Sequence, residues 1–249
     1  MRVYEKHSSQ DFDHPAEMKC IMDYLKINIV YVGCVLMMIY LKNFQTGLMN
    51  MIFERRINMK KIPTLFTRIY EGHKIVGVKD EITHGCEEAF KNGIATVKFD
   101  GSCCAIIGGK FYKRYGAKKG KSPPVGAIPC CDPDPITGHW PHWVEVDPSY
   151  PGDKWFAEAF NNSRKMGMEW NAGTYEAIGP HFQGNPYGLD NDTLVKHGTM
   201  VVDVKRDFKS ISQWLNNNAV EGLVFWLDGE PVCKIKRTDF GLEWPVTKK

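Results

Sequence analysis

Turn-forming residues divide the chain into two unlike parts, and this division constrains the fold more than any other feature. Residues 1–58 contain one of the 14 prolines and two of the 23 glycines, so nearly all of both lie in residues 59–249. Frequent glycine and proline separate short elements and break long helices. The sequence therefore predicts that residues 59–249 form the working domain, and residues 1–58 an extension of different character.

Three interpretations of residues 1–58 stay open: an extension upstream of a domain that begins at Met59, a helical appendage, or a membrane anchor. The apolar run 27–41 would span about 22 Å as a helix, less than the roughly 30 Å of a bilayer core. Five acidic residues precede this run and no small-residue cleavage site follows it, which argues against a signal peptide. We therefore expect neither secretion nor stable membrane association.

The composition is that of an ordinary globular protein. Hydrophobic residues make up 43% and charged residues 24% of the chain, which excludes a disordered or fibrous protein. The net charge of +3 is too small to indicate nucleic-acid binding by itself. The eight cysteines form no CxxC pair, and two pairs are adjacent in sequence, so we expect reduced thiols and a cytoplasmic location.

Residues 59–249 predict an α+β fold in which mainly antiparallel sheets are flanked by helices. Apolar and alternating runs predict strands at 94–98, 102–107, 110–115, 174–178, 200–204, 223–227 and 232–236. The pairs Gly108-Gly109 and Asp228-Gly229 predict two-residue hairpin turns between successive strands.

Two helices and one long loop complete the predicted elements. A helix at 154–164 would place Trp155, Phe156, Ala159 and Phe160 on one face. A second helix is predicted after Asp207, whose side chain can cap it. Eight prolines in residues 120–152 predict a loop there, because proline disrupts helices and central strands.

The tetrapeptide Lys98-Phe-Asp-Gly101 lies at the end of an apolar strand and leads into a tight turn. A lysine in that position can act as a nucleophile once burial or neighbouring cations favour its neutral amine. The same string is common in surface turns, so by itself it fits a solvated lysine better. Other motifs in the sequence, and not this tetrapeptide alone, favour a nucleophilic role for Lys98.

These other motifs are formed by charged residues in other predicted strands. Lys234 and Lys236 project from one face, where their mutual repulsion favours an anion such as phosphate, although lysines also protect exposed edge strands. Glu176 and Glu221 lie among apolar residues, where a carboxylate is costly unless it is paired, hydrogen-bonded or metal-bound. Each glutamate fits either a ligand site or a structural ion pair.

The basic segment 110–121 is a further candidate for function. Six of its twelve residues are basic, none is acidic, and aromatic residues lie among them. Basic and aromatic side chains together suit a phosphate backbone with stacked bases, and a solvated hairpin has the same composition. The candidates for RNA contact are Lys113, Lys118, Lys119 and Lys121.

Taken in order, these motifs resemble those of the lysine-dependent nucleotidyltransferases, the superfamily of ATP-dependent ligases and mRNA capping enzymes. The resemblance covers residues 98–236. It implies that Lys98 is the nucleotidyl-lysine, that Val97 beside it borders the nucleotide, and that Arg114 contacts the ribose. Tyr175-Glu176-Ala-Ile-Gly is similar to the third motif, whose glutamate contacts a ribose hydroxyl.

The later motifs of the superfamily are matched as well. Glu221-Gly-Leu-Val resembles the fourth motif, whose glutamate supports the metal, and we expect Asp100 to assist it. Lys234-Ile-Lys236 resembles the fifth motif, whose lysines hold the α-phosphate. His197 occupies roughly the place of the aromatic residue that stacks on adenine, and a structural histidine fits this position equally well.

Two segments narrow the resemblance to RNA ligases. Residues 176–188 are similar to the RNA ligase branch, and the insert 126–141 to a small subfamily that joins 5′-phosphate to 3′-hydroxyl RNA ends. Thirteen residues follow Lys236. We therefore expect no OB domain, and we expect the core and its insert to recognise the RNA ends.

The resemblance implies an ATP-dependent RNA ligase of RNA repair that forms lysyl-AMP and then RNA-adenylate. Its catalytic residues would be Lys98, Lys234 and Lys236, its cofactors ATP and Mg²⁺ or Mn²⁺, and its partner RNA with 5′-phosphate and 3′-hydroxyl ends. We expect a monomer. The alternatives are another covalent nucleotidyltransferase, either a DNA end-sealing ligase or a capping-type guanylyltransferase, and a non-catalytic module that binds RNA ends.

Overall fold

The computed structural model describes residues 59–167 and 171–246. The three interpretations of residues 1–58 therefore fall outside the described residues. Among the helices of the two described ranges, none is both long and apolar enough to cross a bilayer. The six cysteines in these ranges are free thiols.

Strands dominate the described part of the chain. The strands are β1 (Phe66–Glu71), β2 (Lys74–Ile82), β3 (Ile94–Lys98), β4 (Ser102–Ile107), β5 (Lys110–Ala117), β6 (Ile128–Pro129), β7 (Trp140–Glu145), β8 (Gly173–Ile178), β9 (Thr193–Lys196), β10 (Gly222–Leu227) and β11 (Glu230–Lys236). The helices are α1 (Glu87–Asn92), α2 (Lys154–Lys165) and α3 (Phe208–Asn217), with 3-10 helices at Pro151–Asp153 and Arg237–Phe240.

The strands form three sheets. β1 and β2 form a hairpin, β11-β10-β3 a three-stranded sheet, and β6-β7-β5-β4-β8-β9 a six-stranded sheet. Neighbouring strands in all three are antiparallel. The predicted α+β class with antiparallel sheets is therefore confirmed, whereas the nucleotidyltransferase fold stays a prediction.

Each of the larger sheets packs an apolar face against helices. In the three-stranded sheet, Leu223, Phe225 and Ile235 are 0% exposed in a core that includes residues of α1 and α3. Helix α2 packs on the six-stranded sheet through the predicted face around Ala159. Because side chains alternate along a strand, the intervening residues of β3, β10 and β11 project to the opposite face of their sheet.

Both predicted hairpin turns are confirmed. Gly108 and Gly109 connect β4 to β5, and Asp228 and Gly229 connect β10 to β11. The four residues have φ angles of 56°, 78°, 51° and 80°. Positive φ at both turn positions matches the twist of antiparallel strands, which explains why glycine occupies three of the four positions.

Two local predictions are wrong. Residues 140–145 were expected in a loop but form β7, where Pro141 offers only its carbonyl, which accepts a hydrogen bond from the amide of Cys130 at 2.9 Å. Residues 200–204 were expected to form a strand but make one isolated bridge, between Val201 and Thr96 of β3. The unpredicted elements include α1 and β9, which have only six and four residues and are too short for a periodic signal.

Candidate active site

Strand register gathers two of the predicted lysines around one glycine. Lys98 in β3 and Lys236 in β11 are both paired with Gly222 in β10. Directly paired residues of antiparallel strands project from the same face. The two ammonium groups therefore flank a position without a side chain. A Cβ on Gly222 would collide with the carbonyl oxygen of Ile235, so glycine is required there.

The carboxylate of Glu221 lies between these two lysines. One of its oxygens contacts the Nζ of Lys98 and the other contacts the Nζ of Lys236. The side chain of Glu221 is 6% exposed, whereas those of Lys98 and Lys236 are 23% and 33% exposed. Two ammonium partners offset the desolvation penalty that an unpaired buried carboxylate would carry. Glu221 is thus the shared anion of both lysines.

Lys234 is the third cation of this group. Burial, followed by the neighbouring charges of Lys98 and Lys236, lowers the pKa of Lys234 from 10.5 to about 8. An additional anion would stabilise the protonated form of Lys234, because it would offset the desolvation and the repulsion from the other two lysines. We refer to Lys98, Glu221, Lys234 and Lys236 as the lysine–glutamate cluster.

Glu176 in β8 is held through both of its carboxylate oxygens. Oε1 accepts a hydrogen bond from the backbone amide of Gly101 at 3.1 Å, and Oε2 lies 2.9 Å from Nε2 of His197. Nδ1 of His197 in turn lies 3.0 Å from the hydroxyl oxygen of Thr174. The predicted ribose-contacting glutamate is therefore connected to the turn that follows Lys98 and to the predicted adenine-stacking position.

Asp100 is oriented by two aromatic residues that sequence analysis missed. Its backbone amide donates to the hydroxyl oxygen of Tyr187 at 2.6 Å, and its carboxylate accepts from the indole N–H of Trp244 at 2.8 Å. Burial raises the pKa of the Tyr187 hydroxyl. Tyr187 lies in the segment that resembles RNA ligases, which was a usable signal, whereas no local pattern marked Trp244.

A cavity of about 1780 Å³ is lined by residues of both the three-stranded and the six-stranded sheet. Six of the predicted site residues line it: Val97, Lys98, Arg114, Glu176, His197 and Lys234. Residues 129–135 of the proline-rich region also border it. Glu221 and Lys236 do not line the cavity: Glu221 contacts the cavity-lining Lys98, and Lys236 contacts Glu221. The structure therefore brings most of the predicted nucleotide site together.

The four predicted RNA-binding lysines lie in two different environments. Lys113 is ion-paired with Asp153, whose side chain is 3% exposed. This lysine points to a buried partner in the 3-10 helix before α2. None of the four lines the cavity. The remaining three candidates are exposed: Lys118, Lys119 and Lys121.

The predicted magnesium ligands, Asp100 and Glu221, fit a direct metal site poorly. Both oxygens of Glu221 contact lysine Nζ atoms, and one oxygen of Asp100 accepts the hydrogen bond from Trp244. Magnesium binds carboxylate oxygens directly or through retained waters. A direct bond to Glu221 would require one of its lysines to leave. Magnesium at these residues therefore stays a prediction, and no chemical step is assigned to it.

Comparison with known proteins relates the chain to RNA ligases. Residues 165–249 match the family model described as RNA ligase 1. RNA ligase 1 of Danio rerio is 28% identical over 139 residues, which cover 44% of this chain and 43% of the zebrafish protein. The chain thus spans less than half the length of this curated relative. The two matches agree in indicating an RNA ligase family, while the nucleotidyltransferase superfamily and the subfamily stay predictions.

Proposed function

We propose that this protein is an ATP-dependent RNA ligase that joins 5′-phosphate and 3′-hydroxyl ends through a covalent lysyl-AMP intermediate. The observation that carries the proposal is the lysine–glutamate cluster, which presents Lys98 to a cavity that Glu176 and His197 also line. The similarity to RNA ligase 1 supports RNA as the substrate. Residues 59–249 would form the catalytic domain, and antiparallel sheets around a cavity support a nucleotidyltransferase fold.

In the first step, the neutral amine of Lys98 attacks the α-phosphorus of ATP. A nitrogen–phosphorus bond forms, the bond to the bridging oxygen of pyrophosphate breaks, and AMP stays on the lysine as a phosphoramidate. Glu221 contacts the Nζ of Lys98 and is placed to accept the proton whose loss makes this amine neutral. The second amine proton, lost when the nitrogen–phosphorus bond forms, would pass to solvent. Lys234 and Lys236 would balance the charge on the phosphate, since phosphoryl transfer depends largely on positioning and charge neutralisation.

The other predicted nucleotide contacts would hold the ribose and the adenine. Arg114 and Glu176 line the cavity and are suited to the ribose, while Val97 and His197 line it and would border the base. The amide of Gly101 fixes Glu176, so the grip on the ribose is coupled to the turn that follows the nucleophile. This coupling would keep the α-phosphate in line with the attacking amine.

The second and third steps act on RNA. AMP passes from Lys98 to the 5′-phosphate of an RNA end, and a 3′-hydroxyl then attacks this activated phosphate and expels AMP. Exposed Lys118, Lys119 and Lys121 would contact the RNA backbone, and Lys113 would support them from its buried ion pair. We expect Mg²⁺ or Mn²⁺ to accompany ATP, and we expect the protein to act as a cytoplasmic monomer.

Covalent labelling tests the first step. The protein is incubated with ATP labelled on the α-phosphate and with Mg²⁺ or Mn²⁺, and is then denatured. The wild type and the matched surface variant Lys110→Ala should retain the label, and Lys98→Ala should lose it. Lys98→Arg should lose it as well, because a guanidinium is essentially never neutral. An unlabelled wild type, or a label that persists in Lys98→Ala, would contradict the proposal.

Sealing assays test the substrate. Three RNAs with 5′-phosphates are compared: a nicked duplex, a broken anticodon loop and two free ends. A nicked DNA duplex and labelled GTP serve as controls for the alternative enzymes. Faster sealing of DNA would indicate a DNA end-sealing ligase, and a GMP adduct a capping-type guanylyltransferase. RNA binding without any adduct would indicate a non-catalytic module.

A further inference from the structure

Cys103, Glu176 and His197 form a group that the ligase chemistry uses only in part. The sulfur of Cys103, a carboxylate oxygen of Glu176 and a ring nitrogen of His197 all lie within 4.8 Å of one another. All three residues line the cavity. In the described part of the chain, no other three histidines, cysteines or acidic residues meet this distance. Cys103 has no role in the proposed reaction, so its place in the group is otherwise unexplained.

We propose that Cys103, Glu176 and His197 bind Zn²⁺, and that bound Zn²⁺ and ATP exclude each other. Zinc accepts thiolate, imidazole and carboxylate ligands in a tetrahedral arrangement, and three protein ligands leave a fourth position open to the cavity. The exclusion rests on the proposed function, because Glu176 and His197 are also the proposed nucleotide contacts. Binding of the metal itself does not depend on that function.

Strand register directs the three ligands to one face. Cys103 in β4 is directly paired with Glu176 in β8. His197 follows β9, in which Val195 is paired with Glu176, and it lies two residues beyond Val195. Zinc bonds of about 2.0–2.3 Å place tetrahedral ligand atoms roughly 3.3–3.8 Å apart. Side-chain rotations that move the ligand atoms by about 1 Å would therefore bring them to the separations of a tetrahedral zinc site.

Existing hydrogen bonds prepare the ligand atoms. The amide of Gly101 donates a hydrogen bond to Oε1 of Glu176, so Oε2 is the oxygen that could bind a metal. Oε2 lies 2.9 Å from Nε2 of His197. Bound zinc would break this hydrogen bond and form one bond to Oε2 of Glu176 and one to Nε2 of His197. The single proton of the neutral imidazole would then lie on Nδ1 and be donated to the hydroxyl oxygen of Thr174, 3.0 Å away. The thiol proton of Cys103 would leave to solvent.

The electrostatics of the group suit a divalent cation. One thiolate, one carboxylate and one neutral imidazole carry a charge that Zn²⁺ cancels, which limits the cost of placing the ion in a partly buried site. Burial, reinforced by the carboxylate of Glu176, raises the pKa of Cys103, whereas Arg114 and Lys98 oppose this rise. The metal must displace the thiol proton, so its affinity should increase with pH.

Cobalt binding tests the site without reference to activity. The full chain is titrated with Co²⁺, which occupies zinc sites and gives a charge-transfer absorption when a thiolate binds it. The wild type should show this band. Cys103→Ser should lose it and bind Co²⁺ at least roughly 100-fold more weakly, since loss of even an outer-shell partner costs about 10–100-fold. Cys103→Ala provides a second variant should serine disturb folding.

Cys131→Ser is the matched control, because Cys131 lines the same cavity outside the group. This variant should keep the band, and His197→Gln should weaken it. Comparison between variants removes any contribution from cysteines elsewhere in the chain. A wild type without the band overturns the site, and so does a band that Cys103→Ser retains.

Labelling with ATP at a buffered concentration of free Zn²⁺ tests the exclusion. Zinc should suppress the AMP adduct of the wild type, and additional ATP or a chelator should restore it. Cys103→Ser should form the adduct and be at least about tenfold less sensitive to zinc. Equal sensitivity of the two proteins overturns the exclusion. Failure of the wild type to form an adduct without zinc would instead reject the ligase proposal, and the cobalt spectra would still decide the metal site.

Discussion

The lysine–glutamate cluster and the basic segment 110–121 are both rich in lysine, but their charges meet different surroundings. In the cluster, lysines from strands far apart in sequence converge, and two of them share the carboxylate of Glu221, whose side chain is 6% exposed. In the segment, lysines that are neighbours in sequence disperse: Lys110 pairs with exposed Glu145, and Lys113 with buried Asp153. Strand register therefore concentrates charge more effectively than proximity along the chain.

The largest expected effect comes from removal of the shared carboxylate. Glu221→Gln leaves two partly buried ammonium groups without their anion and should lower the free energy of unfolding by about 3 kcal/mol. Urea denaturation of the wild type and the variant measures this loss. Glu145→Gln, which removes the exposed partner of Lys110, is the matched control and should leave the unfolding midpoint unchanged. Equal losses in both variants would contradict the distinction between the two regions.

The ion pair of Lys113 should behave as an exception within the basic segment. Lys113→Met leaves buried Asp153 without its cation and should cost about 2 kcal/mol of unfolding free energy, because one buried charge stays unpaired. Lys118→Met, at an exposed lysine of the same segment, should cost nothing measurable. Thermal and urea unfolding of both variants provide the measurement. If Lys113→Met lost no more unfolding free energy than Lys118→Met, the ion pair of Lys113 with Asp153 would not contribute to stability.

The lowered pKa of Lys234 predicts a pH dependence of nucleotide binding. Protonated Lys234 attracts phosphate, so the affinity for AMP should fall by up to about tenfold per pH unit as the pH rises above about 8. Lys234→Arg keeps its charge and should show a flat profile from pH 7.5 to about 9.5. Calorimetric titration with AMP measures both. A parallel decline in the variant would assign the dependence to another group.

The same lowered pKa has a defined consequence for stability. Between pH 8 and 10.5 the unfolded chain holds the Lys234 proton that the folded protein has lost. The unfolded state therefore binds more protons, and this lysine makes the free energy of unfolding rise with pH across that window. Urea denaturation across the window should show less of this rise in Lys234→Arg.

The smallest effect is expected from the exposed lysines. Replacement of Lys118, Lys119 and Lys121 by glutamine should weaken RNA binding modestly and reduce its salt dependence by up to about 0.7 per lysine that contacts a phosphate of single-stranded RNA. Lys91→Gln, at an exposed lysine of α1, is the control and should leave the slope unchanged. Binding of RNA over a range of salt concentrations measures these slopes. Unchanged slopes in the triple variant would place the RNA elsewhere.

Local signals account for the part of the fold that could be predicted. The turns at Gly108-Gly109 and Asp228-Gly229 need positive φ, which only a few residue types adopt readily, and so the sequence reveals them. The six-residue helix α1 carries too few turns for periodicity to stand out. Pro141 misled the prediction, because a proline is tolerated in a strand where its carbonyl alone is needed.

The residues that converge in the lysine–glutamate cluster could be selected from the sequence, but their contacts could not. Spacing and resemblance identified Lys98, Lys236 and Glu221 separately. That Glu221 contacts both lysines depends on the pairing of three strands, which no local pattern specifies. The contacts of Asp100 with Tyr187 and Trp244 join positions 87 and 144 residues apart, and long-range contacts of this kind leave no periodic trace in a single sequence.

The position of β3 in its sheet has a consequence for how the protein is made. One of its neighbours, β10, begins at Gly222, and on its other side it bonds to the backbone around Val201. A ribosome adds about 5–20 residues per second, so roughly 120 residues and about 6–25 s separate the synthesis of Lys98 from that of its pairing partner. Until the backbone around Val201 is made, both edges of the nascent strand lack their partners, and one edge stays unpaired until β10 follows; exposed strand edges of this kind are sites of aggregation.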